Sequence, residues 1–307
     1  MTIFKKLIIS VFGGFLLIAF VLGASAQSSI SQKGIQISPL TYNFEINPGE
    51  SQTAKLYVTN RNDEDLNYIV EVELFDKVTE EGVPSFKVSE KKEGVSTLVD
   101  WISFLTEKEG VVKAGKEKEI QFKIDVPKNA EPGGHYGAVF VRETRKTPSG
   151  EGAQLGVASR VGALILVSVP GTVTKGGKII EFDAPKFAWK GPIDFVMRVQ
   201  NTGTVHYDSK AEVEIKPILG QVSKVGLGTH TIIPKFIRIF KGSWDKKYPF
   251  GYYELTGKAT DGDGKIMTAS ATMWAIPLVI VLPVVFALII FILVIRYIRR
   301  HYRIVSK

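Results

Sequence analysis

The chain has 307 residues, no cysteine and a net charge of +8. The lack of cysteine excludes disulfides, thiolate chemistry, cysteine-based metal sites and cysteine-linked lipid anchors. Seven of the 39 basic residues lie in the first 26 and last 12 residues, which contain no acid, so 32 basic and 31 acidic residues leave the body at +1. The basic excess therefore indicates membrane topology and gives no indication of nucleic-acid binding.

The first 26 residues have the three parts of a secretory signal peptide. Two early lysines form the positive region, an apolar run follows, and the small residues at 24–26 suit a signal peptidase. We predict cleavage between Ala26 and Gln27. An uncleaved N-terminal anchor is the alternative.

The body, residues 27–273, has the period-2 alternation of half-buried antiparallel strands. The clearest runs lie at 54–59, 66–74 and 120–126. The segment 96–105 is ambiguous between a short helix and a strand, and we interpret its Trp101 as a core residue. The sequence therefore predicts an all-β fold.

The body also repeats itself. In residues 57–74 and 198–215 an apolar strand ends at Asn60 or Asn201, a polar turn follows, and an alternating strand ends in Glu-x-Glu. The plan predicts two immunoglobulin-like β-sandwich domains. We place their boundary between residues 170 and 171.

The two predicted domains differ in spacing and in charge. Later in each copy, Gly134-His135-Tyr136 corresponds to Gly251-Tyr252-Tyr253. The longer spacing in the first copy predicts an insertion within 76–117. Residues 27–170 carry 17 basic and 21 acidic residues, a net −4, whereas 171–273 carry 15 and 10, a net +5.

The stretch EPGGHYGAVFVRE at 131–143 admits two interpretations, a glycine-rich loop around a ligand or the start of a strand. A phosphate-binding loop needs a following helix N-terminus, and an apolar strand pattern follows here. We therefore predict a strand that begins with a tyrosine corner at Tyr136, whose hydroxyl would bond the backbone a few residues upstream. Tyr253 repeats this position, and His135 is expected to point away from Tyr136.

Two arginines form the one weak candidate for partner binding. Arg142 and Arg160 would face each other across the hairpin that follows this strand. No nucleophile motif, phosphate loop or metal-ligand spacing is visible, so the sequence predicts no catalytic, cofactor or metal site. His206 and His230 are interpreted as ordinary surface residues.

Other acidic motifs have a structural and a chemical interpretation. The pairs Glu71/Glu73 and Glu212/Glu214 each lie on one strand face, near the spacing of inverting glycosidase carboxylates, but a solvated outer face is favoured. TDGDGK at 260–265 begins like a calcium loop, lacks its later ligands and is predicted to be a hairpin turn.

The C-terminal segment 274–296 is predicted to be a transmembrane helix. Its apolar run of 21 residues spans about 31 Å as a helix, enough to cross a bilayer core. The tail, 297–307, is basic and is expected in the cytoplasm, so the body would lie outside a cell membrane.

The architecture resembles the WxL-interacting proteins of Gram-positive cell walls. The likeness lies in the body segments 37–60, 124–143, 199–215 and 250–259. It implies a peptidoglycan-binding first sandwich and a second sandwich that binds a host or partner protein, in a non-enzymatic surface protein. A membrane-tethered chaperone that pairs strand edges with secreted subunits is the first alternative, and a wall hydrolase is the second.

Overall fold

The computed structural model describes residues 33–87, 96–144 and 159–301. The predicted signal peptide, with its cleavage site at Ala26 and Gln27, lies outside these residues. From Ile35 onward the chain forms one compact unit that contains two β-sandwiches.

The first sandwich has ten strands and one short helix within the described residues. They are β1 (Ile35–Ser38), β2 (Thr41–Glu45), β3 (Ser51–Asn60), β4 (Leu66–Val78), β5 (Pro84–Lys87), α1 (Leu98–Trp101), β6 (Ile102–Phe104), β7 (Glu109–Val112), β8 (Glu117–Asp125), β9 (Gly133–Glu143) and β10 (Arg160–Val169). One sheet has the order β1-β3-β8-β6, and the other has the order β2-β10-β9-β4-β5 with β7 also paired to β4.

The second sandwich has eight strands. They are β11 (Gly177–Asp183), β12 (Phe187–Ala188), β13 (Ile193–Asn201), β14 (Tyr207–Pro217), β15 (Ser223–Ile232), β16 (Ile237–Trp244), β17 (Gly251–Thr260) and β18 (Ile266–Ala275). Its sheets have the orders β11-β13-β16 and β12-β18-β17-β14-β15.

The strand orders show that the second sandwich repeats the first. In both, the second strand pairs in parallel with the last one, β2 with β10 and β12 with β18. Between β4 and β8 the first copy contains β5, α1, β6 and β7, whereas β15 alone lies between β14 and β16. The insertion therefore lies within 76–117, as predicted, and the ambiguous segment 96–105 contains both a helical turn and a strand.

Each sandwich has its own hydrophobic core, formed by the inward residues of the alternating strands. Leu56, Tyr68 and Phe122 are fully buried in the first core, as are Phe195 and Leu255 in the second. Trp101 belongs to the first core, as predicted. The boundary between residues 170 and 171 stays a prediction.

The two asparagines that end the repeated strands have the same role in both copies. Asn60 and Asn201 are fully buried. The side-chain N–H₂ of Asn60 donates to the carbonyls of Glu64 and Val112, and its oxygen accepts the N–H of Asn62. Asn201 makes the equivalent three bonds, with Val205, Ile232 and Gly203. Each side chain thus satisfies three backbone groups at a strand end.

The C-terminal helix α2 spans Leu278–His301 and is long and apolar enough to cross a membrane. It begins four residues later than predicted because Trp274 and Ala275 pair within β18. Pro277 follows this strand and opens the helix, accepting the N–H groups of Ile280 and Val281. Residues 302–307 of the predicted tail lie outside the described residues.

Candidate ligand-binding face and the junction between the sandwiches

Arg142 and Arg160 are Cα partners on β9 and β10. Arg142 donates from Nε and Nη2 to the two carboxylate oxygens of Glu71, at 3.2 and 2.7 Å. Arg160 donates from Nη1 to Glu73 at 2.8 Å. The sequence thus placed the two arginines correctly with respect to each other but gave no sign of their partners.

The solvated face predicted for Glu71 and Glu73 is wrong for the second residue. The side chain of Glu73 is only 11% exposed and forms an ion pair with Arg160. The hydrogen bond from Arg142 holds the pKa of Glu71 below its usual range. In the second sandwich, Glu214 is bonded by Lys258 on β17 at 2.6 Å, which is the corresponding arrangement.

A row of aromatic rings extends from these charges along the outer face of the same sheet. The guanidinium of Arg160 lies 4.3 Å from the ring centroid of Phe140. Phe140 packs edge-on against Phe86 (4.8 Å), Phe86 against Phe75 (5.2 Å), and Phe75 stacks on Tyr136 (6.1 Å). Cationic, anionic and aromatic side chains therefore share one surface. We call Glu71, Glu73, Arg142, Arg160, Phe140 and Phe86 the charged–aromatic face.

Tyr136 is at the far end of this row, and its prediction as a tyrosine corner is wrong. Its hydroxyl accepts the backbone N–H of His206, in the second sandwich, at 3.0 Å, and also lies 3.2 Å from Nδ1 of that histidine. Strand alternation puts Tyr136 on the outer face, opposite the core residues Val139 and Val141. The side chain turns back over Gly134, where a Cβ would overlap the hydroxyl.

Tyr253 differs from Tyr136 because it faces the core of its sandwich. Its ring packs against Trp244, and its hydroxyl bonds both the N–H and the C=O of Phe250 at 3.1 Å. This is the contact that a tyrosine corner requires. The core-side residue at the start of β9 is His135, which packs on Trp101, so the predicted correspondence of the two Gly-x-Tyr segments is shifted by one residue.

His206 is buried at the junction between the sandwiches, so its interpretation as a surface residue is wrong. Its Nε2 lies 2.8 Å from the side-chain oxygen of Asn43 in the first sandwich. Burial lowers the pKa of His206, against a smaller opposing effect of Asp208. A neutral ring with its hydrogen on Nε2 satisfies both contacts, because Nδ1 then accepts the O–H of Tyr136.

A second contact joins the sandwiches through the tip of the β4–β5 hairpin. The carbonyl of Glu80 accepts the N–H of Ile239 on β16 at 2.8 Å. The carboxylate of Glu80 accepts Nε of Arg198 at 2.8 Å, and Arg198 also bonds Glu181. The tip of this hairpin thus holds the second copy of the repeat to the first.

A cleft of about 290 Å³ lies between these two contacts. Apolar side chains line it from both sides, with Phe75 and Leu166 from the first sandwich and Phe236 from the second, together with polar residues such as Arg238. His230 lines it too, and burial first and Arg238 second lower the pKa of this histidine. His230 is therefore half-buried at the junction and is not an ordinary surface residue.

The segment 260–265 forms the β17–β18 hairpin turn, as predicted. Asp261 accepts the backbone N–H groups of Asp263 and Lys265 through one carboxylate oxygen. Within residues 33–87, 96–144 and 159–301, no group of three or more metal-ligand side chains lies together.

Comparison with known proteins gives one family match. Residues 25–143 match the family model described as the peptidoglycan-binding domain of the WxL-interacting proteins. No curated protein matches the chain.

Several solved structures are similar to this chain at low sequence identity. The class 5 fimbriae chaperone CfaA is 14% identical, with 78% of this chain and 99% of that chain covered and a TM-score of 0.38. The E. coli chaperone DraB is 13% identical, with 78% and 98% covered and a TM-score of 0.36. The CsuC–CsuE chaperone–subunit complex of Acinetobacter baumannii is 13% identical, with 79% and 99% covered and a TM-score of 0.36. Likeness at this level carries no conclusion about function.

Proposed function

We propose that the chain is a member of the WxL-interacting proteins, since residues 25–143 match their peptidoglycan-binding domain, and that it is a non-enzymatic cell-surface protein whose first sandwich binds peptidoglycan. In this proposal α2 anchors the protein in the cell membrane, with both sandwiches outside and the basic tail in the cytoplasm. The second sandwich contacts another surface protein. The family match is the observation that carries the proposal.

The charged–aromatic face is the part of the matched region that we assign to the polymer. Glu71, Glu73, Phe86, Phe140 and Arg142 all lie within the match, and Arg160 follows on the paired strand β10. The opposite side of the same sheet packs into the core. The charged–aromatic face is on the outward side of this sheet, and there it combines arginines with aromatic rings.

Peptidoglycan offers carboxylates on its peptides and apolar faces on its sugar rings. A guanidinium has five N–H donors, and the two bonds from Arg142 to Glu71 use two of them, so Arg142 can hold Glu71 and also bond a ligand carboxylate. The bonds to the glutamates fix both arginines in position, which lowers the entropy lost on binding. Phe75 and Phe86, which are half-buried, supply the apolar contact, whereas Phe140 is buried and packs against Phe86.

Cosedimentation with purified peptidoglycan tests this assignment. The full chain in mild detergent should sediment with the polymer. Arg142→Gln and Arg160→Gln should each weaken binding by about tenfold, the effect of losing one charge-assisted hydrogen bond. Lys258→Gln is the matched control, because it removes the corresponding cation of the second sandwich.

Two outcomes would contradict the assignment. If both arginine variants sediment like the Lys258→Gln control, the polymer binds elsewhere on the first sandwich. If the wild-type chain stays in the supernatant and instead pairs with secreted subunits, the chaperone alternative replaces the proposed function.

A further inference from the structure

The end of the second sandwich from which α2 leaves exposes a concentration of apolar side chains. Between residues 171 and 276, eleven large apolar or aromatic side chains are exposed, and all but Ile180 and Ile266 are at this end. Leu219 is 89% exposed and Phe250 is 71% exposed. The surfaces of soluble proteins rarely expose so many apolar side chains in one patch. This end of the sandwich is therefore expected to contact another molecule or a membrane.

The strand register brings these residues together. Trp274 is the Cα partner of Tyr252 and of Phe187. The N–H of Ile218 donates to the carbonyl of Tyr252, which brings the β14–β15 loop to the same end. The N–H of Gly191 donates to the carbonyl of Lys247, which adds two further loops. The loops 186–192, 216–224 and 245–250 thus surround the start of α2.

The same three loops are strongly basic. They contain six lysines, all exposed, and a single acid, Asp245. The lysines are Lys186, Lys190, Lys216, Lys224, Lys246 and Lys247. Aromatic and aliphatic side chains ringed by lysine match the chemistry of an anionic bilayer surface.

The connection to α2 leaves little room for any other partner. Only Ile276 and Pro277 separate β18 from the helix, and the N–H of Ile276 donates to the carbonyl of Ala188. Two residues span at most about 7 Å, whereas a helix with its side chains is about 10 Å wide. A protein layer does not fit between this end and a bilayer crossed by α2.

We infer that this end is a lipid-contact surface, in which Trp189, Leu219 and Phe250 enter the headgroup region and the lysines bind anionic lipid headgroups. The inference rests on the proposed anchoring by α2 and adds a second contact with the same leaflet. Such a contact fixes the tilt of the ectodomain on the membrane, which a single helix does not do.

Single cysteines can test this contact because the chain has none of its own. The full chain with Leu219→Cys or Phe250→Cys carries an environment-sensitive dye and is reconstituted into phosphatidylcholine–phosphatidylglycerol vesicles. Some of the lipids carry a nitroxide on the headgroup. Ile266→Cys is the control, because it is 66% exposed and lies at the opposite end of β18. We expect quenching at positions 219 and 250 to be several-fold stronger than at 266.

The lysines are tested by their dependence on lipid charge. Replacing Lys246 and Lys247 together by glutamine should reduce the quenching at Leu219→Cys toward the value found in pure phosphatidylcholine vesicles. Added salt should have the same effect on the unreplaced protein, since attraction between exposed charges is screened over about 8–10 Å. Unchanged melting of each variant shows that it folds.

Flotation with the vesicles separates this inference from the proposed anchoring. If the chain floats but the dyes at 219 and 250 are quenched no more than the dye at 266, the lipid contact is wrong and the anchor stands. If the chain does not float, both fail. A dye at 219 that is shielded from water but not quenched by lipid also overturns the inference, in favour of a protein partner.

Discussion

The hydroxyl of Tyr136 in the first sandwich accepts the backbone N–H of His206 in the second, across 70 residues of sequence. The ring of the same histidine reaches Asn43 in the first sandwich. These contacts make the two copies of the repeat one mechanical unit at this point. A substitution of Tyr136 should therefore affect both sandwiches and not only the first.

Tyr136→Phe should therefore loosen the junction as well as the first sandwich. Loss of the hydroxyl leaves the N–H of His206 buried without an acceptor, which costs about 1–2 kcal/mol. We expect faster amide exchange at 203–207 and a lower free energy of unfolding in urea. Tyr248→Phe removes an exposed hydroxyl and is the control. Equal behaviour of the two variants would show that the bond contributes nothing.

Tyr253→Phe should act on the second sandwich alone. Its hydroxyl bonds both backbone groups of Phe250, and the side chain is buried. Loss of these bonds should reduce the free energy of unfolding by about 1–2 kcal/mol. Exchange at 133–137 in the first sandwich should stay unchanged, and any rise there contradicts the separation of the two effects.

Acid should weaken the junction through His206. Burial lowers its pKa in the folded protein, and the unfolded value is about 6.5. The unfolded state then binds more protons below that pH, so stability falls as the pH decreases from about 6.5 toward the folded pKa. Protonation of Nδ1 would also displace the O–H of Tyr136.

The free energy of unfolding, measured in urea between pH 7.5 and 5.5, checks this sign. The pH dependence should be weaker in His206→Gln than in the wild-type chain. The pKa of His230 is lowered too, so part of the pH dependence of stability should remain in both proteins. An identical slope in the two would mean that His206 does not titrate in this range.

The asparagines at the repeated strand ends should be among the most sensitive positions of the chain. Asn60→Ala and Asn201→Ala each leave two carbonyls and one N–H without partners, at a cost of about 3 kcal/mol or more. Asn47→Ala removes an exposed side-chain bond and should cost less than about 0.5 kcal/mol. Chemical denaturation measures all three.

Protease added to intact cells tests the orientation. If α2 crosses the membrane with the basic tail inside, the protease should remove both sandwiches and leave a protected C-terminal fragment. An ectodomain that stays intact on whole cells but is digested after lysis would reverse the topology.

Local pattern predicted the strands, the core and the repeat because period-2 alternation and the strand-ending asparagines are properties of neighbouring residues. It also predicted that Arg142 and Arg160 face each other, since one hairpin joins their strands. It did not predict the partners of Glu73, Tyr136 and His206, which lie 70 or more residues away. Alternation from Val139 and Val141 alone, however, already places Tyr136 on the outer face.

The contact between Glu80 and Ile239 bears on whether the protein aggregates when many copies lie close together on a membrane. Ile239 is on β16, an edge strand of its three-stranded sheet in the described part of the chain. Open strand edges recruit strands from neighbouring molecules and so start aggregation. The tip of the β4–β5 hairpin occupies part of this edge with a carbonyl from the same chain. Molecules at high density on a membrane therefore have less open strand edge at which their sheets can pair and aggregate.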